Sequence, residues 1–196
     1  MRINLITKIF LFLTILTLYS CSGKKVDDNS DFFIENKNEI GIELVDQDLG
    51  IKFNPPKGWE LTPSSLSKKI ENKLNPNDGY VYQPIYVFFN RASLGFLSAG
   101  KVILTDTTLA SSAKLNYYKS FLTDKYKNVN CSLGNFSNNK IYFTQFRYEK
   151  ANLISYKLFF QNSKNEIVQF EYSIRKEILE QSSIAIKSSI GTIRSL

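Results

Sequence analysis

The chain has 196 residues, with 25 Lys and Arg against 18 Asp and Glu, a net charge of +7, two cysteines and no histidine. That length suits one domain, and the lack of histidine removes every mechanism that needs an imidazole base or metal ligand. The basic excess is scattered, with no Arg/Lys stripe and no nucleic-acid motif; it points away from nucleic acid and toward, at most, an anionic lipid or polymer surface.

The amino terminus opens with Met1, Arg2 and Lys8, carries no acid before Cys21, and runs apolar through Ile9, Leu13, Ile15, Leu16 and Leu18. A basic start, an apolar stretch of about 7–15 residues and a small residue at the cut are the parts of a secretory signal. The run is shorter than the roughly 20 residues that a membrane-crossing helix needs. Leu18-Tyr19-Ser20-Cys21 resembles a lipobox, although Tyr19 is bulkier than usual at its position. The expectation is a leader over residues 1–20, cleavage before Cys21, and lipidation of that thiol. This holds the chain on the extracytoplasmic side of a membrane in the cell envelope. Each buried lipid methylene contributes ~0.8 kcal/mol, so two or more acyl chains make the attachment stable. Residues 21–38 are polar, lack periodicity and read as a flexible tether. One domain is expected over residues 39–196.

In that domain, alternation of Ile40, Ile42 and Leu44 with Gly41 and Glu43 predicts a first strand. Asp46-Gln47-Asp48-Leu49-Gly50 reads as a turn, and Ile51-Lys52-Phe53 as a strand that Pro55-Pro56 must end. Thr62 as N-cap, Pro63 at the first helical position and Leu66, Ile70 and Leu74 on one face predict a short helix, stopped at Asn75-Pro76. Strands follow around residues 85–89 and 100–104, with an apolar loop over residues 93–97 between them. Residues 111–126 carry Leu115, Tyr118 and Leu122 on one stripe and predict an amphipathic helix. A β-meander is expected over residues 141–148, 154–160 and 167–174. Val168, Phe170, Tyr172 and Ile174 share one face of its last strand, with Gln169, Glu171 and Ser173 opposite. The closing helix bears Leu179, Ile186, Ile190 and Ile193, flanked by small Ser182 and Ser189.

The segment Gly50-Ile51-Lys52-Phe53-Asn54-Pro55-Pro56-Lys57-Gly58-Trp59, the order of elements after it, and the tail Ser189-Ile190-Gly191-Thr192-Ile193 resemble the PsbP-like fold family. That family includes an extrinsic subunit of the photosynthetic oxygen-evolving complex, a small Ran-binding nuclear-transport factor and many bacterial lipoproteins. The resemblance implies an α+β fold, a central antiparallel β-sheet flanked by helices in an α/β/α sandwich. It also implies a binding or assembly role, without catalytic residues. The metal-linked histidines of the photosynthetic members have no counterpart here.

Candidate chemistry is sparse. With Cys21 lipidated, Cys131 has no disulfide partner and, lacking histidine, no base to activate it; a small apolar residue at a strand start is the plainer reading. Asp46-x-Asp48-x-Gly50 begins like a calcium loop but lacks the closing Glu. Ser-x-x-Lys recurs six times, from Ser22 to Ser173, without the companion motifs of penicillin-recognising enzymes, so it locates nothing. No catalytic residue, metal ligand or cofactor site is expected. Trp59, Tyr82 and Tyr86 are the candidates for a ligand or partner surface, with burial the plainer account of each. The reading that results is a membrane-anchored envelope lipoprotein with a non-enzymatic binding or assembly role, its partner another envelope protein or polymer. An envelope hydrolase or transferase working through carboxylates or a serine remains as the alternative.

The anchoring expectation has a direct check. Cys21→Ala should leave the protein unlipidated and move most of it from the membrane to the soluble fraction. Retention on membranes through a high-salt wash would refute it.

Overall fold

A computed structural model describes residues 36–63 and 79–196. The predicted helix with Leu66, Ile70 and Leu74 lies outside those residues, as do the leader and most of the tether. The described elements are β1 (Leu44–Asp46), β2 (Ile51–Phe53), β3 (Glu60–Leu61), β4 (Tyr80–Asn90), β5 (Gly95–Leu104), α1 (Ser111–Lys125), β6 (Asn130–Asn138), β7 (Ile141–Lys150), β8 (Leu153–Gln161), β9 (Ile167–Arg175), α2 (Leu179–Gly191) and β10 (Arg194–Ser195). No helix among them is long and apolar enough to cross a membrane.

Seven strands form one antiparallel sheet in the order β3-β4-β5-β9-β8-β7-β6, and β1, β2 and β10 form a small second sheet. This is a strand-rich α+β fold, less evenly layered than a sandwich with helices covering both faces. Helix α1 covers one face of the large sheet through Tyr118 and Leu122, packed with Tyr80, Phe146 and Phe159. The other face is covered jointly by α2, through Ile186 and Ile190, and by the small sheet, through Ile51 and Phe53. Phe53 lies edge-on to Phe170, with ring centroids 5.0 Å apart, so the small sheet shares the main core. The small side chain at Ser189 lets α2 approach closely. Its hydroxyl donates to the Asn54 carbonyl at 2.6 Å and lies 3.0 Å from the Tyr172 hydroxyl.

Predicted elements differ from the structure in several places: the strand expected around residues 85–89 begins at Tyr80, Ile193 lies beyond the end of α2, and three more differences have local reasons. The first strand begins at Leu44, not Ile40. Ile40 makes only an isolated bridge to Pro56, and Ile42 is 87% exposed, because Pro55 and Pro56 have no N–H to extend a ladder beside them. The expected loop over residues 93–97 is shorter: β5 already starts at Gly95, and the turn closes at Leu94, with φ of 51°. Strand β6, where the sequence marks only a strand start at Cys131, extends over nine residues whose single buried side chain is Phe136. At the described amino-terminal end, Asn36 already touches the domain, its backbone N–H donating to Ser188.

The β4–β5 hairpin is continuous through Pro84 because the register shifts between Pro84 and Tyr86. The extra residue, Ile85, makes a β-bulge, which tolerates proline and reverses the in/out alternation beyond it. Gly100, paired with Pro84, is what lets the strands close at that point. A Cβ on Gly100 would lie 2.1 Å from the Gln83 carbonyl oxygen and 2.8 Å from the Pro84 Cα. Because both obstacles are backbone, Gly100→Ala should destabilise the domain by about 2–4 kcal/mol, measured by denaturant unfolding. A cost below about 0.5 kcal/mol would mean that the bulge relaxes freely.

Candidate functional site

The bulge separates the three candidate residues. Tyr82 precedes it and faces α1. Tyr86, beyond it, faces the α2 side, where its ring meets Phe53 at 6.0 Å. Burial, with Asp46 beside the hydroxyl, pushes the Tyr86 pKa up to about 12. Trp59 lies on the α2 side as well, 9% exposed in the same core as Phe88 and Leu97. Its ring fills the space over Gly95, where a Cβ would stand 3.0 Å from it. Trp59 and Tyr86 therefore belong to one core, and Tyr82 to the opposite face of the sheet.

On the α1 face, Tyr82 borders a cavity of about 490 Å³, lined among the described residues by Tyr80, Val87 and Phe89 of β4, Phe96 and Ser98 of β5, Tyr118 and Lys125 of α1, Tyr126, Lys157 and Glu171. Its walls are aromatic, and its floor is polar. One row of side chains crosses five strands in register: Val87, Ser98, Glu171, Lys157 and Phe146. Within that row the Lys157 ammonium lies 3.1 Å from the Glu171 carboxylate, both largely buried. The Tyr148 hydroxyl donates to the other Glu171 oxygen at 2.5 Å. The Lys157 ammonium sits 5.7 Å over the Tyr126 ring, which stacks on Tyr148 with centroids 4.3 Å apart.

The surrounding hydroxyls and amides are paired in the same way. Tyr82 donates to the Ser98 hydroxyl at 3.0 Å, Tyr118 donates to the Gln169 side-chain oxygen, and Ser155 and Ser173 hydroxyls lie 2.6 Å apart. At the rim, Lys125 donates to the Tyr80 hydroxyl at 3.2 Å. Burial works against the Lys157 ammonium, but the Glu171 carboxylate together with Tyr118, Tyr126 and Tyr148 outweighs it and holds the amine's pKa well above the ordinary lysine value. Burial also raises the pKa of Tyr82 and of Tyr118. The site thus presents neutral phenols, a cation already matched to an anion, and apolar rings.

Such a set is poorly arranged for acid–base or nucleophilic work. A protonated Lys157 cannot take a proton from Ser98, and the one carboxylate of the cavity is held by two partners. Elsewhere, the Asp46 carboxylate accepts from the Leu49 N–H at 2.7 Å, while Lys164 donates to the carbonyls of Gln47 and Asp48. That turn is closed by the chain's own groups. No cluster of three or more His, Cys, Asp or Glu suited to a metal occurs among the described residues. Cys131 is half-buried, and burial raises its thiol pKa, which disfavours the reactive thiolate.

Sequence reasoning finds Tyr82 but misses Lys157, Glu171, Tyr148 and Tyr118. Polar residues alternating with apolar ones on β8 and β9 read as a solvent-facing side. The available signal is spacing: Lys157 and Glu171 lie equally far from the loop of residues 162–166, so a hairpin closing over that loop sets opposite charges directly across from each other.

The pair makes a testable balance. Lys157→Met leaves a buried carboxylate unmatched and should cost about 3–5 kcal/mol in unfolding free energy, whereas Lys157→Met with Glu171→Leu should recover most of that loss. In the natural chain, Lys157 titrates higher folded than unfolded. Its contribution is therefore complete below about pH 10 and is lost as pH rises through the folded value. Equal stability of the single and double variants would show that the pair is not desolvated.

Neither a protein-family model nor a curated protein matches the chain. The solution structure of cyanobacterial PsbP (CyanoP) from Synechocystis sp. PCC 6803 is similar to it, with a TM-score of 0.51 over 92% of this chain and 99% of that chain, at 13% sequence identity. At that identity the likeness is one of fold, and the fold of this chain is PsbP-like.

Proposed function

We propose that the chain is an exported lipoprotein, anchored through Cys21 to an envelope membrane, whose PsbP-like domain has a non-enzymatic binding role toward another envelope protein or polymer. The observation that carries the binding reading is the aromatic cavity under α1. Its apolar walls offer area to a small apolar or aromatic group of the partner, and its few polar groups are already paired and can orient without reacting. The PsbP-like fold supports an accessory role of this kind. The tether between Cys21 and the domain would let the cavity reach a partner within a short distance of the membrane.

A hydrolase or transferase would need a free carboxylate, or a serine beside a base, in a water-accessible cleft. Ser98 and Glu171 are the nearest candidates, and both are occupied by their neighbours.

Phe96→Trp narrows the cavity while leaving the Lys157–Glu171 pair untouched. Cross-linked pull-down from intact envelopes should recover a partner with the natural chain and at least about tenfold less of it with Phe96→Trp, at equal expression and melting temperature. Equal recovery by both would move the binding surface away from the cavity.

A further inference from the structure

Strand β6 forms one edge of the large sheet. Its nine residues, Asn-Cys-Ser-Leu-Gly-Asn-Phe-Ser-Asn, carry no charge and no proline. The other described edge strands each carry a charge: Asp46 in β1, Glu60 in β3 and Arg194 in β10. Charges and prolines are how exposed edges avoid pairing with further strands. The longest described edge is the one left without them.

The geometry of this edge follows from its turn. Asn139 and Lys140 both have positive φ, 49° and 66°, a type I′ loop that closes on a hydrogen-bonded Asn138–Ile141 pair. Hydrogen-bonded and non-bonded pairs alternate along an antiparallel ladder. The even-numbered residues of β6 therefore bond to β7, and Cys131, Leu133, Asn135 and Ser137 turn their backbone N–H and C=O outward. Leu133 is also 43% exposed. At the centre of the strand, a Cβ on Gly134 would meet nothing within 4 Å. Beside it in register on β7, Gln145 is 6% exposed and its side-chain oxygen has no partner.

We propose that β6 pairs antiparallel with β6 of a second copy of this chain, about a two-fold axis at Gly134, to make a continuous sheet across two domains. Antiparallel pairing centred on residue 134 sets Leu133 opposite Asn135 and Cys131 opposite Ser137 of the second copy. These are the residues with outward-facing backbone groups, so the parity of the edge matches its own reverse. The same register sets Ser132 opposite Phe136, small against large. It brings the two Gly134 residues together as a non-bonded pair, where Cα atoms approach to about 4.5 Å and side chains would crowd most. Without its leader the chain still carries 23 Lys and Arg against 18 Asp and Glu and repels its copies, and an edge without charge is where that repulsion is least. This pairing is independent of what enters the cavity on the α1 face.

The test uses the full chain in intact cells, with Cys131→Ser to remove the native thiol. Gly134→Cys should form a disulfide-linked dimer under mild oxidation, since its Cα separation suits a disulfide. Ser132→Cys, whose counterpart lies several residues away, should give at least about tenfold less. Adding Leu133→Lys to Gly134→Cys sets two ammoniums diagonally across the axis, roughly 7–8 Å apart, and should suppress the dimer. Protease resistance of each variant checks that it is folded. Three results would overturn the proposal: a folded Gly134→Cys chain that stays monomeric, equal cross-linking at 132 and 134, or linkage of Gly134→Cys to a different protein.

Discussion

Strand β9 lies near the middle of the sheet, with both of its faces covered, and much of the rest of the structure answers to that constraint. Its apolar side, Val168, Phe170, Tyr172 and Ile174, meets α2 and the small sheet. Its other side carries Gln169 and Ser173, both buried, and Glu171, whose side chain is 14% exposed. A buried polar group without a partner costs about 1–3 kcal/mol, and a charge costs more. Each of the three therefore has a partner on a neighbouring element: Tyr118 of α1 for Gln169, Lys157 and Tyr148 for Glu171, and Ser155 for Ser173. The position of α1, the register of β8 and the stacking of Tyr126 are parts of one solution to burying that strand.

The same constraint explains why the cavity is chemically quiet. Groups that must be satisfied for the domain to fold are not free to change protonation or attack a substrate. What remains exposed inside the cavity is ring surface. In the proposed binding role, ring area and shape would do the gripping, and the polar groups, already paired, would set orientation. The fold and the binding reading thus share a cause.

The elements with strong periodicity were legible in the sequence. Helix α1, helix α2 and strands β7 to β9 follow from apolar spacing, because each buries one continuous stripe. The misreadings fall where two physical rules compete. The strand expected around residues 85–89 instead begins at Tyr80, because a bulge and Gly100 carry it through Pro84, and the parity reversal places Tyr82 and Tyr86 on opposite faces. At Ile40 the alternation is regular, but Pro55 and Pro56 lack the N–H groups that would extend a ladder beside it. The floor of the cavity was hidden for a third reason. A polar face under a helix has the same pattern as a polar face under water, and only the pairing of Lys157 with Glu171 across their turn distinguishes them.

Strand β6 shows how a polar, weakly periodic segment can still be held firmly. Beyond its last residue, Asn139 donates to the carbonyls of Gly191 and Ile193 at 2.9 and 3.0 Å, and Asn138 reaches those of Ile190 and Gly191. The Ile190 and Gly191 carbonyls belong to the last turn of α2, whose carbonyls have no partner within the helix, and that of Ile193 lies just beyond it. The β6–β7 turn therefore caps α2, and α2 in turn ties the hairpin to the core. A strand fixed at its turn and by its ladder to β7 loses little further conformational freedom if its outer side is paired, so less of the gain from backbone hydrogen bonds is offset by ordering. Among the described residues no strand pairs the outer side of β6, and its turn, by capping α2, ties that uncharged edge to the core.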